Sequence, residues 1–203
     1  MLKQAALIAL MGLSASAMAG QWQVKVGGSA IAPTQDTKIL GGAATVEADS
    51  ELAFTPSVEY FFNDNFSAEV LLAAPISHDV SVRSAGEEIA GVKLKHLPPT
   101  VTAKYHLKNS TGFTPYVGVG ATAFIPWDEE ASGVLADTKV KVKEDYGYAA
   151  QIGFNFQPAD AKNWGVFADV RYADLNPKVE TAVEKFKLDI DPVIYTIGYS
   201  YKF

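Results

Sequence analysis

Seven charged residues of this chain fall where they could meet one another: Lys25, Glu59, Glu69, Lys104, Asp169, Arg171 and Lys202. Each lies in a segment of alternating residue character, on the less hydrophobic side of the alternation, so the spacing predicts four bases and three acids turned to the inside of a sheet. Charges taken out of water must be paired or neutralised. An interior ion-pair network is therefore the chemistry this set could do, and a selective polar channel is the other arrangement it permits. The histidines offer less: His78, His96 and His106 are dispersed, and no pair has the helical spacing of metal ligands. His78 and His96 could approach each other at the tops of neighbouring strands, as loop hydrogen-bonding groups; no metal and no cofactor are expected. Serine and threonine are plentiful, but no motif couples one to a histidine base as a nucleophile needs, so the chain is read as a non-enzyme.

The elements that must position these charges are strands. At the C-terminus, Val193, Tyr195, Ile197, Tyr199, Tyr201 and Phe203 share one face and Thr196, Gly198, Ser200 and Lys202 the other, a period of two. Stacked aromatics along one side suit a strand whose outer face meets lipid. The same period recurs over residues 21–32, 52–62, 68–76, 97–107, 116–125, 146–156 and 164–172. Short turns are expected at 63–65, 108–112 and 158–163, and long loops at 33–50, 78–95, 126–145 and 175–190. Residues 138–143 keep a strand period inside the third long loop. About eight strands joined alternately by short and long connections predict an all-β fold: an eight-stranded antiparallel transmembrane β-barrel of the outer-membrane type.

The outward faces support lipid over water. No Lys, Arg, Asp or Glu stands at an outward position between strand ends, where a charge costs about 2–4 kcal/mol at the bilayer midplane. Trp22, Phe62, Phe66, Phe156, Trp164 and Phe203 fall near the short-turn end, and Phe54, Trp127, Tyr146, Tyr172 and Tyr195 near the other, as two aromatic girdles. This exterior argues against a soluble ligand-binding barrel. Residues 1–19 read as a signal peptide, with a positive start at Lys3, a short apolar run and the small-x-small site Ala17-Met18-Ala19; residues 20–203 form the barrel domain. Removing residues 1–19 takes Lys3 away and leaves 16 basic against 23 acidic residues, net −7. Such a chain is a poor nucleic-acid binder. The absence of cysteine excludes disulfide scaffolds and thiol enzymes.

His96-Leu97-Pro98-Pro99-Thr100, Pro115-Tyr116-Val117-Gly118-Val119-Gly120, Glu69-Val70-Leu71-Leu72-Ala73-Ala74-Pro75 and the C-terminal Gly-Tyr-x-Tyr-x-Phe pattern resemble the OmpW-type outer-membrane proteins, a family that includes alkane-uptake barrels of the AlkL kind. The similarity runs over essentially the whole mature chain, and the His-Leu-Pro-Pro-Thr segment is its most specific part. The resemblance implies an outer-membrane location and a narrow hydrophobic lumen that admits small hydrophobic molecules and releases them sideways into the membrane. It also implies that Leu71 stands where a leucine helps to close the lumen. Arg171 departs from relatives that place an aromatic there; it could alter ligand preference or pair with Asp169.

Toward the long-loop end the inward positions lose their charge: Ala53, Thr55, Leu71, Ala73, Thr100, Thr122, Phe124, Ala149, Ile194 and Thr196, with Arg171 beside them. Such a lining suits an apolar ligand, and plain core packing produces the same pattern. Pro56, Pro75, Pro98 and Pro99 each remove a ladder donor from one wall, either as a lateral seam or as simple strand ends and bulges. The expected partners are outer-membrane lipid and lipopolysaccharide, the barrel assembly machinery through the C-terminal strand, small hydrophobic solutes, and a phage or bacteriocin at the loops. Those loops mix Asp128, Glu129, Glu130 and Asp137 with Lys139, Lys141 and Lys143, a solvated face or a site for cations that bridge lipopolysaccharide. A structural or adhesive barrel acting through these loops is the rival to uptake; an outer-membrane acyltransferase would also fit eight strands but lacks a recognisable nucleophile motif.

Overall fold

A computed structural model describes residues 21–72, 74–136, 138–181 and 184–203, without the side chains of Ile76 and His78. The expected signal peptide, Ala73 and Asp137 therefore lie outside the described residues. The strands run in chain order β1 (Trp22–Ala32), β2 (Thr37–Ile39), β3 (Ala44–Ala48), β4 (Glu51–Phe61), β5 (Phe66–Leu71), β6 (Ile76–Ser84), β7 (Glu87–Leu97), β8 (Thr100–His106), β9 (Phe113–Gly133), β10 (Lys141–Val142), β11 (Asp145–Phe156), β12 (Trp164–Ala173), β13 (Lys178–Glu180), β14 (Lys185–Lys187) and β15 (Val193–Lys202).

Eight of these, β1, β4, β5, β8, β9, β11, β12 and β15, pair antiparallel with their neighbours, and β15 returns to β1 to close the barrel. Closure runs from Gln23 opposite Lys202 to Ala32 opposite Val193, which leaves these eight strands no free edge over their paired length. The period of two sorts the side chains. On β1 Val24 and Val26 are exposed while Lys25 and Ser29 are buried; on β8 Val101 and Tyr105 are exposed while Thr102, Lys104 and His106 are buried. Aromatic contacts such as Trp22 with Tyr60 at 4.9 Å and Phe66 with Tyr105 at 5.0 Å lie toward the short-turn end, and Tyr148 with Tyr172 at 6.0 Å toward the other.

The long connections are not loops throughout. Residues 78–95 mostly form the hairpin β6–β7, whose turn residues Ala85 and Gly86 both have positive φ, 52° and 85°, as a two-residue hairpin of the favoured twist requires. β9 continues past the expected stop at residue 125 to Gly133 and pairs there with β7, Leu97 opposite Ile125 and Ala90 opposite Gly133. β2 and β3 extend the same sheet beyond β6. Residues 33–50 and 175–190, also expected as loops, contain β2, β3, β13 and β14, whereas only Lys141–Val142 of residues 138–143 is a strand. Here the alternation inverts. Val80, Val82, Ala90, Val92 and Leu94 pack into a core with Val46, Val142, Val179 and Leu188, while Lys93 pairs outward with Asp79 at 3.6 Å and Lys95 with Asp128 at 3.4 Å. The barrel wall thus continues above the membrane band as a water-faced vestibule.

Candidate functional site: a plugged lumen beneath an apolar vestibule

The lower lumen is filled by charge. Lys25 Nζ forms an ion pair with Glu59 at 2.6 Å, Lys104 donates to the same Glu59 oxygen at 3.1 Å, and Lys104 also reaches Glu69 at 3.1 Å. Arg171 stands 3.6 Å from Glu69 and donates from Nε to Gln151 Oε1 at 3.1 Å, and Gln151 in turn donates to Glu69 at 3.2 Å. Ser57 and Ser67 donate to Glu69 and Glu59, at 2.6 and 2.5 Å. All of these side chains are buried. Rings close the cluster from below: Lys104 sits 3.8 Å from the centre of Tyr116, and Lys25 lies 5.1 Å from both Tyr116 and Phe167, near enough for cation–π attraction. Gly118 makes the space, because a Cβ there would stand 2.9 Å from Gln151 Cγ and 3.0 Å from Lys104 Cγ.

Two members of the expected network lie at its margin. Asp169 accepts the Tyr116 hydroxyl at 2.9 Å and, among the described residues, forms no ion pair with Arg171; Arg171 instead turns to Glu69 and Gln151, so its assignment to an apolar lining does not hold. Lys202 stacks 4.3 Å over the Phe61 ring. One contact escaped the sequence. Ser67 Oγ lies 2.8 Å from His106 Nε2, although no motif joins residues 39 apart on neighbouring strands. The same nitrogen faces Glu59 at 2.9 Å, and both side chains are buried at 2% and 1%. With serine, histidine and carboxylate converging on one another in the packed interior, this triplet binds strands together.

Hydroxyls form the next layer. Ser29 meets Thr55 at 2.6 Å and Thr196 at 2.8 Å, and Thr100 meets Thr122 at 2.9 Å. They satisfy one another, so the surface they turn upward is nearly apolar. Above them lies a cavity of about 50 Å³ lined by Thr55, Leu71, Thr100, Thr122, Phe124 and Ile194 of the expected set, together with residues the sequence reading missed, among them Ile31, Leu94, His96, Pro98, Ala173, Leu175 and Leu188. Ala53 packs behind Ile31, Ala149 is buried in the wall, and Thr196 belongs to the hydroxyl layer. His96 is buried and lies 4.7 Å from the Phe124 ring; register sets Ile76, and not His78, opposite it. Val80, Leu94 and Leu188 also line a second cavity of about 230 Å³ in the vestibule, so the two spaces share a wall. Of the missed lining, Leu94, Leu175 and Leu188 come from segments expected as loops, whose apolar residues point inward only once the chain is paired.

Among the described residues, the ladder in the wall beside the lower cavity is interrupted. The β5–β8 ladder ends at Leu71 opposite Thr100, and the β6–β7 ladder starts at Ile76 opposite His96. The described residues between them are tied to opposite sides: Leu72 and Ala74 donate to Pro56 O and Phe54 O of β4, both at 2.9 Å, while Pro99 O accepts from Ala123 of β9 at 3.0 Å. Pro98 and Pro99 have no N–H to send across. Pro75 is exposed on the first edge. Pro56 lies one strand back, opposite Val26, and contributes its carbonyl to that edge. Pro98 belongs both to the interrupted edge and to the cavity lining.

A sequence model of the OmpW family matches residues 18–203. Outer membrane protein W of Vibrio cholerae is 30% identical over 198 residues, covering 91% of this chain and 89% of that protein. Outer membrane protein AlkL of Ectopseudomonas oleovorans is 25% identical, covering 83% of this chain and 74% of the relative. The crystal structure of the outer membrane protein OprG from Pseudomonas aeruginosa superimposes with a TM-score of 0.78 at 26% identity, covering 91% of this chain and 96% of that one.

Proposed function

The chain belongs to the OmpW family of outer-membrane barrels, and we propose that it carries small hydrophobic molecules passively from the outside into the outer membrane, releasing them sideways above the plug. The solute enters the vestibule, whose lining is largely apolar, and passes into the cavity at Leu71, Phe124 and Ile194. The packed charges, which offer an apolar molecule no favourable surroundings, stop it from continuing to the periplasm. It leaves between the edge at Leu72, Ala74 and Pro75 and the edge at Leu97, Pro98 and Pro99. The observation that carries this reading is the double position of Pro98, in the lining of the cavity and on the edge where the ladder is broken. Ions and water have no wide continuous path, because eight strands enclose an interior that side chains fill and here Lys25, Glu59, Glu69, Lys104 and Arg171 fill it.

The test is transfer of a fluorescent apolar solute into the bilayer of proteoliposomes. Replacing Pro98 and Pro99 with Val restores two donors and favours continuation of the ladder; the expected outcome is a several-fold slower transfer with an unchanged folded fraction on a heat-modifiability gel. Unchanged transfer by a correctly folded variant would remove the lateral route.

A further inference from the structure

The three short strands β10, β13 and β14 form a small sheet over the barrel mouth, and its two faces differ sharply. Val142, Val179 and Phe186 form one cross-strand row that packs on the vestibule core. The outer face carries two rows, Lys141–Glu180–Lys185 and Lys143–Lys178–Lys187. Five lysines and one glutamate therefore share one face in a chain whose net charge is −6. Lys178 stands directly opposite Lys187, and Lys143 donates its N–H to Lys178 O at 2.9 Å on the other side. Like charges set opposite in an antiparallel pair are destabilising. Glu180 is engaged by Lys143 and Lys185, each at 3.5 Å. Among the described residues, no carboxylate lies within ion-pairing distance of Lys178 or Lys187.

Lys143, Lys178 and Lys187, with Glu180 between them, line one side of a cleft of about 600 Å³ whose other side includes Glu144, Asp145, Tyr146 and Asp174. The acids there each have a partner: Asp145 accepts the Asn176 N–H at 2.6 Å, Asp174 the Asn176 side-chain amide at 2.9 Å and the exposed Glu144 the Tyr146 hydroxyl at 3.2 Å, while Glu180 is held by Lys143 and Lys185. Tyr146 is 71% exposed and begins the outward, lipid-facing row of β11. The cleft thus opens at the upper margin of the apolar band, the level at which the phosphates of the outer leaflet lie. Lysine ammonium groups bind phosphate as point charges, and clustered bases at a membrane surface attract anionic headgroups.

We infer that the lysine face of β10–β13–β14 docks the phosphate groups of lipopolysaccharide, with Lys143, Lys178 and Lys187 toward the cleft. The inference needs only the outer-membrane location and is independent of solute transfer. Its test uses the full chain refolded in mixed micelles containing diphosphoryl lipid A, with retained lipid counted by native mass spectrometry. The intact protein should retain diphosphoryl lipid A at least about fivefold better than Lys178→Gln/Lys187→Gln, and better than it retains dephosphorylated lipid A. Lys93→Gln/Lys95→Gln, which removes two exposed lysines elsewhere on the vestibule, should retain it like the intact protein. Equal retention by the intact protein and the Lys178→Gln/Lys187→Gln variant, or equal retention of the two lipids, would overturn the inference. So would preferential capture of a soluble sulfated glycan over diphosphoryl lipid A.

Discussion

The membrane section of this molecule and the vestibule above it are built from the same paired strands with opposite polarity. In the membrane section Val24, Val26, Val101, Val119 and Ile197 face out and Lys25, Glu59, Glu69 and Lys104 face in. In the vestibule Val80, Val82, Val92 and Leu94 face in and Lys93, Lys95 and Asp128 face out. β9 passes through both regimes, with Val117 and Val119 outward below and Glu130 outward above. What changes along it is the solvent outside, lipid below and water above. The lumen takes whatever the exterior cannot hold. The ion-pair cluster fills its lower part and the lining of its upper part is largely apolar, and the break in the paired wall stands beside the apolar part.

Substitutions that ignore this inversion should fail by unequal amounts. Lys104→Met leaves Glu59 and Glu69 short of a buried partner, and truncating one side of a buried ion pair costs about 3–5 kcal/mol; urea unfolding in lipid vesicles should show that loss. Val119→Lys puts a charge on the lipid face of β9, where the penalty is about 2–4 kcal/mol near the midplane, and the same titration measures it. If Val119→Lys proved harmless, the exterior of the lower strands would not be lipid-facing. Lys93→Ala removes a water-facing pair with Asp79 whose members are both more than half exposed, and should change stability by less than about 1 kcal/mol. A penalty for Lys93→Ala as large as that for Lys104→Met would erase the contrast between the two regions.

The same inversion explains what the sequence revealed. A period of two with aromatic outer faces was legible from Trp22 onward, and so were the inward positions of Lys25, Glu59, Glu69, Lys104 and Arg171, because sheet geometry fixes which side alternates. Their pairing was not, since Arg171 reaches Glu69 and Gln151 across the lumen and inward position alone does not choose among partners. Residues 78–95 also alternate, with Val92 and Leu94 against Lys93 and Lys95. They read as a loop when strands are sought by an uncharged outer face. Ser67 and His106 meet only through the register of β5 on β8, and no local motif encodes it. The prolines were legible as missing donors; that Leu72 and Ala74 turn to β4 and Pro99 to β9 depends on the fold.

The most direct test of lateral uptake through an apolar lumen is the initial rate of apolar-solute transfer into proteoliposomes by the intact protein and by Leu71→Trp, with folded fraction and stability matched. Leu71 is 8% exposed and lines the cavity beside the break, so an indole there should fill much of the space and reduce the rate at least about tenfold. Equal rates from two equally folded proteins would contradict the account.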